Sequence, residues 1–129
     1  MEVEHDYYIP ERLIGHSLDA AASIITHNGS DAHVVNTWNS YIEVLDDQTH
    51  LIPVGGMGHT EKNLAINKQV KMTVANREIM GYHYPGTGVL ITGTAEIQKQ
   101  GDLFDRIHKT HPWTRGVMVV AVEKVVQTQ

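Results

Sequence analysis

The chain contains no cysteine. That excludes a disulfide framework and any thiolate site for a metal or for redox exchange. It also lacks a basic block: 10 lysines and arginines stand against 15 acidic residues, a formal net charge of −5. A nucleic-acid binder normally displays a basic patch, so that class is set aside. No apolar run is long enough to cross a bilayer. The opening residues, Met1 to Tyr8, are acidic and polar and do not read as a signal peptide, so a cytoplasmic protein without membrane contact is expected. Aromatic carbon is scarce too: one phenylalanine, five tyrosines and two tryptophans. In so small a set, the position of each tryptophan carries information.

What is present suffices for one core. The 129 residues are 41% hydrophobic, the size and balance of a single domain spanning 1–129. Nine histidines are many for this length. His108 with His111 and His27 with His33 are the pairs worth testing as metal ligands. No HExxH pattern or carboxylate cluster accompanies them at a metal spacing, so they read as surface histidines.

Along the chain, residues 1–9 read as a loose lead-in. Pro10 opens a short helix over 10–18. Ala20 to Thr26 is small, then β-branched, and reads as a buried strand. Asn28-Gly29 is a strong hairpin signal. From His33 to Leu45 the chain is β-type, but Asn36 to Ser40 offers no clean apolar face. A bend or bulge is expected there. Alternation places Val35, Thr37, Asn39 and Tyr41 on one side and Val34, Asn36, Trp38 and Ser40 on the other. After a turn at Asp46-Asp47, a strand ends at Pro53, Val54, Gly55 and Gly56, and a helix is expected over Thr60–Asn67. Strands follow at Val70–Ala75, Gly88–Ile97 and Gly116–Val126, with Asn76 to Pro85 irregular between the first two. Gly93, inside a strand, signals a bend or a close backbone approach. Gly101 to His108 is a short amphipathic helix with Leu103, Phe104 and Ile107 on its apolar side. Six strands, tight turns and a few short helices make the chain all-β, a barrel or sandwich.

His33 to Leu64 concentrates the chemistry. A polar and aromatic patch, Asn36 to Tyr41, precedes a glycine-rich break and a helix start near His59 and Thr60. A helix start presents unpaired N–H groups and the positive end of a dipole, which suits a phosphate. Amides, hydroxyls and aromatic faces suit a flat hydrogen-bonding ring and a polyol chain. The stretch is read as a site for a phosphorylated, ring-bearing cofactor.

The segments HVVNTWNSYIEVL, PVGGMGHTEKNL, PGTGVLITGTAE and PWTRGVMVVAVEKVVQTQ closely resemble the small FMN-binding proteins of the split-barrel flavoprotein superfamily. That superfamily includes pyridoxamine 5′-phosphate oxidase. The resemblance covers roughly residues 20–129. It implies a six-stranded Greek-key split β-barrel that forms a homodimer and holds one FMN per protomer near the subunit boundary. Carried over by position, Asn36, Thr37, Trp38 and Asn39 lie along the flavin ring and ribityl chain, and Tyr41 lies near the ring. Pro53 and Val54 offer backbone groups, His59 and Thr60 meet the phosphate, and Trp113 lies beside the ring. The family commonly has lysine or arginine where this chain has His59, so Arg77 is weighed as a further phosphate donor. Gln129 stands where a related protein ends in an apolar residue.

The implied function is electron transfer or FMN-dependent oxidoreductase chemistry, with an unspecified redox partner or small-molecule substrate. The alternatives are a pyridoxamine phosphate oxidase-like enzyme and a non-catalytic barrel binding haem or a deazaflavin. Each site residue also has a plainer reading. Trp38 and Trp113 serve equally well as core, Asn36 and Asn39 as a solvated strand edge, Gly55-Gly56 as a turn, and Thr60 as a helix N-cap.

Overall fold

A computed structural model describes residues 3–5, 13 and 20–129. The helix expected over 10–18 lies outside these residues except for Leu13, which is fully buried. Eight strands and two helices follow in order: β1 (Val3–His5), β2 (Ala21–His27), β3 (Ala32–Trp38), β4 (Glu43–Asp46), β5 (Thr49–Val54), α1 (Gly58–Ile66), β6 (Gln69–Met80), β7 (Pro85–Gln98), α2 (Asp102–Thr110) and β8 (Gly116–Gln127). The all-β expectation holds. The strand count rises from six to eight for two reasons. The bend expected after Asn36 is a 3-10 turn, Asn39–Tyr41, which divides one long strand into β3 and β4. In the expected lead-in, Val3–His5 pairs with β8.

All pairings are antiparallel, in the order β3-β2-β6-β7-β8-β5-β4. The two ends of that order are consecutive in sequence. Laid flat, β3 and β4 would be six spacings apart, about 29 Å, whereas the few residues from Trp38 to Glu43 reach at most about 17 Å. The sheet therefore curls into a barrel with a seam between β3 and the β4–β5 side. Ala22, Ile24, Ile52, Val54, Met72, Ile91, Met118 and Val120 fill its interior. Leu51, Ile107 and Val117 form a smaller cluster, with Leu103 and Phe104 of α2 packed against it. The apolar side expected for that helix is the side it uses.

Two differences have clear causes. The stretch read as irregular, Asn76 to Pro85, is mostly strand: β6 continues to Met80 and β7 begins at Pro85, with a register shift between Asn76 and Met80. Tertiary pairing overrides the weak β-propensity of Asn76, Arg77 and Glu78. The helix expected from Thr60 begins at Gly58, after Met57 in the left-handed region (φ 65°, ψ 38°). The reading of Gly93 is met: β7 shifts register against β8 between Thr92 and Gly93, and a Cβ there would lie 2.1 Å from the Ala121 carbonyl oxygen.

Candidate functional site

β4 pairs, among the described residues, only with Thr49 to Leu51 of β5. Among the described residues, Ile52 to Val54 have no strand partner on that side, and β3 has none on its outer edge. Two strand edges thus flank the seam, each carrying backbone groups a ligand can pair with. One end of the seam is closed by the start of α1. The other is closed by the turn Asn39–Tyr41 and the loop that carries Trp113.

The phosphate-type end is built mainly from backbone. Left-handed Met57 leads directly into the helical residues of α1, a sequence that curves successive N–H groups around one point. The first intrahelical bond there runs from Glu61 N–H to the Met57 carbonyl, at 2.9 Å. The earlier N–H groups of α1 therefore have no intrahelical acceptor. A non-glycine residue in this region is strained by about 1 kcal/mol; Met57 is held there by packing against the core. Thr60 is not the N-cap, because it sits at the third helical position. Its Oγ1 is buried without a hydrogen-bond partner among the described residues, and the residue is 1% exposed. A buried hydroxyl left unpaired is costly and marks a position for a ligand atom or an ordered water. His59 is exposed, and its ring stands 5.2 Å from that of His33 on β3. His33, a residue sequence reasoning had placed only in a weak metal pair, belongs to this end. Its neighbour across the hairpin, Thr26, accepts a 3.2 Å hydrogen bond from Asn63 Nδ2, which fixes α1 to β2.

The aromatic end gathers Tyr41, His111 and Trp113. The Tyr41 and Trp113 centroids are 5.6 Å apart, and His111 lies 5.3 Å from Tyr41 and 5.7 Å from Trp113. Local hydrogen bonds hold this loop. Thr114 Oγ1 donates to the His111 carbonyl at 2.8 Å, so it accepts from His108 Nδ1 at 3.0 Å. Thr110 Oγ1 donates to the Ile107 carbonyl at 3.2 Å and accepts from His111 Nδ1 at 3.0 Å. Trp113 packs on Gly55, where an added Cβ would meet the indole at 3.1 Å. The glycine thus lets the ring lie close to the loop that leads into α1.

The remaining candidates separate by face. Trp38 and Trp113 are each 51% exposed, which removes the reading of either as core. Asn36 is exposed, and its Oδ1 accepts from Ser23 Oγ at 3.4 Å. Thr37 is buried, on the side it shares with Asn39. Asn39 is fully buried, and its amide donates to the Leu13 carbonyl, while its backbone N–H donates to the Ala20 carbonyl at 2.8 Å. Its side chain thus anchors the turn. Pro53 and Val54 pair with Val117 and Gly116 of β8, and the Val54 carbonyl accepts from Arg115 N–H at 2.8 Å. Arg77 is not brought to the phosphate-type end. It lies beyond Ala22 at the opposite end of β2 from α1, beside a cleft of about 270 Å³ that Ala20, Ala75 and Gln129 also line. The Gln129 carbonyl accepts from Thr87 Oγ1 at 2.9 Å.

A curled antiparallel sheet with an open seam, helix-start N–H groups at one end and aromatic rings at the other, defines a split barrel. The sequence model of the pyridoxamine 5′-phosphate oxidase family matches residues 20–129, and the chain belongs to this family. It is 40% identical over 110 residues to a protein named FMN-binding protein from Nitratidesulfovibrio vulgaris strain Miyazaki F, covering 85% of this chain and 89% of that one. Among solved structures, a variant of HupZ from Group A Streptococcus superposes with a TM-score of 0.74 at 21% identity, covering 92% of this chain and 95% of that one. An FMN-binding protein from Syntrophomonas wolfei gives 0.69 at 16% identity, covering 84% and 76%. Among the described residues, no helix is long and apolar enough to cross a membrane.

Proposed function

We propose that the chain is a single-domain FMN-binding flavoprotein, 1–129, that works as a cytoplasmic homodimer in electron transfer or as a flavin-dependent oxidoreductase. The observation that carries the reading is the pairing of an unpartnered, buried Thr60 hydroxyl and unpaired α1 N–H groups at one end of the seam with exposed aromatic rings at the other. From His33 to Trp38, β3 spans about 17 Å, a length that suits a phosphate, a polyol chain and a ring in line. The curated relative named FMN-binding protein supports the identity of the ligand.

In this reading His59, Thr60 and the start of α1 hold the phosphate. Asn36 and Thr37 line the ribityl chain, Asn39 holds the adjoining turn in place through its amide bond to the Leu13 carbonyl, Pro53 and Val54 offer backbone groups, and Trp38, Tyr41 and Trp113 border the ring. Bound FMN would supply the redox chemistry. The chain's own part is to orient the ring and limit water around it. The rings do so by covering apolar surface, and half-exposed tryptophans lose water when a flat ligand packs on them.

Titration of the apo-protein with FMN and riboflavin tests this. FMN is expected to bind more tightly than riboflavin, quenching both tryptophan and flavin emission. Trp38→Phe and Trp113→Phe should each reduce the quenching. Equal affinity for the two flavins would remove the phosphate end from the reading, and a Soret band on the purified protein would replace FMN by haem.

The dimer has its own support. Val34 at 58% and Trp38 at 51% exposure lie on the outer side of β3, and Val44 is 45% exposed on β4. Apolar side chains left open on a seam are usually covered, and a two-fold pair is the commonest way. Light scattering is expected to give the mass of two chains, and a one-chain mass at every concentration would count against it.

A further inference from the structure

The Arg115 guanidinium faces the loop between β5 and α1 and touches three groups there. Its Nε donates to the Gly55 carbonyl at 2.8 Å, its Nη2 to the Gly56 carbonyl at 2.6 Å, and its Nη1 pairs with Glu61 Oε1 at 2.9 Å. Among the described residues every peptide bond is trans. In a trans peptide the C=O of one residue and the N–H of the next point in opposite directions. Because the carbonyls of Gly55 and Gly56 are turned toward Arg115, the N–H groups of Gly56 and Met57 are turned away from it. They join the N–H run that Met57 starts and α1 continues.

Arg115 also acts on charge. Glu61 stands in the first turn of α1, where its carboxylate would repel a bound phosphate. Lys99, at 2.8 Å, and Arg115 hold this carboxyl below the usual range, so it stays ionised but paired. Three of the five guanidinium N–H groups already meet two carbonyls and a carboxylate, which aims the group at the loop.

We propose that Arg115 is the positioning residue of the phosphate end: it orients the Gly56 and Met57 N–H groups toward the ligand and offsets the Glu61 charge without touching the phosphate. The proposal rests on the FMN reading above. It makes selection between a phosphorylated and an unphosphorylated flavin depend on a side chain on the strand-entry loop before β8, remote in sequence from α1. A planar fork is required, since two carbonyls and a carboxylate are met from one group. Lysine preserves the charge toward Glu61 but not the fork.

The test compares FMN and riboflavin affinity in the wild type, Arg115→Lys, Glu61→Gln and the double variant, with thermal melts to confirm folding. For Arg115→Lys, FMN affinity is expected to fall about tenfold, the order of one lost hydrogen bond to a charged group, with riboflavin affinity held within about twofold. Amide exchange at Gly56 and Met57 should quicken, and the phosphorus resonance of bound FMN should shift. Glu61→Gln alone should leave FMN affinity equal or higher, and the double variant should stay as weak as Arg115→Lys. If the wild type does not prefer FMN to riboflavin, the flavin-phosphate reading itself fails. If the wild type prefers FMN and Arg115→Lys keeps both that preference and the phosphorus resonance, Arg115 has no positioning role. Equal losses for FMN and riboflavin would likewise assign it a structural role alone.

Discussion

The protein is expected to lose about 3 kcal/mol of stability between pH 7 and pH 4 through one histidine, His50, and replacing it with leucine should abolish that loss. His50 lies on β5 between Val44 of β4 and Val120 of β8, and it is 0% exposed. Among the described residues, neither ring nitrogen has a hydrogen-bond partner. Even the neutral ring must carry one N–H, so one donor is left unpaired in the interior. Burial disfavours the charged form and lowers the His50 pKa from 6.5 to about 4, while Asp46 partly opposes the shift. The sign follows from linkage. Between those two values the unfolded chain binds a proton that the folded chain excludes, so protonation favours unfolding. The full stability is present above the unfolded value of 6.5, declines as pH falls, and the decline is complete below about 4. Denaturant melts at several pH values, wild type against His50→Leu, isolate this group from the carboxylates that also titrate there. The variant should be at least as stable at pH 7, because an apolar side chain of similar size removes the unpaired donor. Parallel stability–pH curves for the two proteins would show that His50 is protonated in the folded state.

The same residue shows what the sequence reveals and what it leaves hidden. Alternation along β5 puts His50 on the side of Ile52 and Val54, so its burial is readable by counting in twos. What alternation cannot supply is the absence of a partner, which depends on strands joined only by the fold. Elements with local causes were legible: the Asn28-Gly29 hairpin, the bend after Asn36, the close approach at Gly93 and the apolar side of α2. The course of β6 past Asn76 was not, because a partner strand rather than propensity holds it extended. The candidate site divides along the same line. Residue types at Asn36–Tyr41 and His59–Thr60 suggested a phosphorylated ring compound, and the fold places the latter pair at one end of the seam. Arg115 had no signal, since its contacts with Gly55 and Gly56 span about sixty residues of sequence. His33 was hidden likewise, its contact with His59 being made across the seam. The left-handed residue of the loop was hidden by its neighbours: Gly55, Gly56 and Gly58 all tolerate that conformation, yet Met57 adopts it.

The His33–His59 contact gives the second large effect: FMN affinity is expected to fall about tenfold on His59→Ala, while riboflavin affinity stays within about twofold. His59 sits at the second position of α1, and the His33 ring stands 5.2 Å from it. An imidazole N–H at a helix start donates to a phosphate beside the backbone N–H groups there. Glu61 does not oppose the anion, because Lys99 and Arg115 pair with it. Each histidine has its own arm in the test. His59→Lys should keep FMN affinity at or above the wild-type value, because an ammonium donates a charge-assisted hydrogen bond from the same place. His33→Asn should weaken FMN less than His59→Ala does and leave riboflavin unchanged. An FMN affinity indifferent to His59→Ala would take both histidines out of the phosphate end and leave the backbone N–H groups and Thr60 to hold the anion alone.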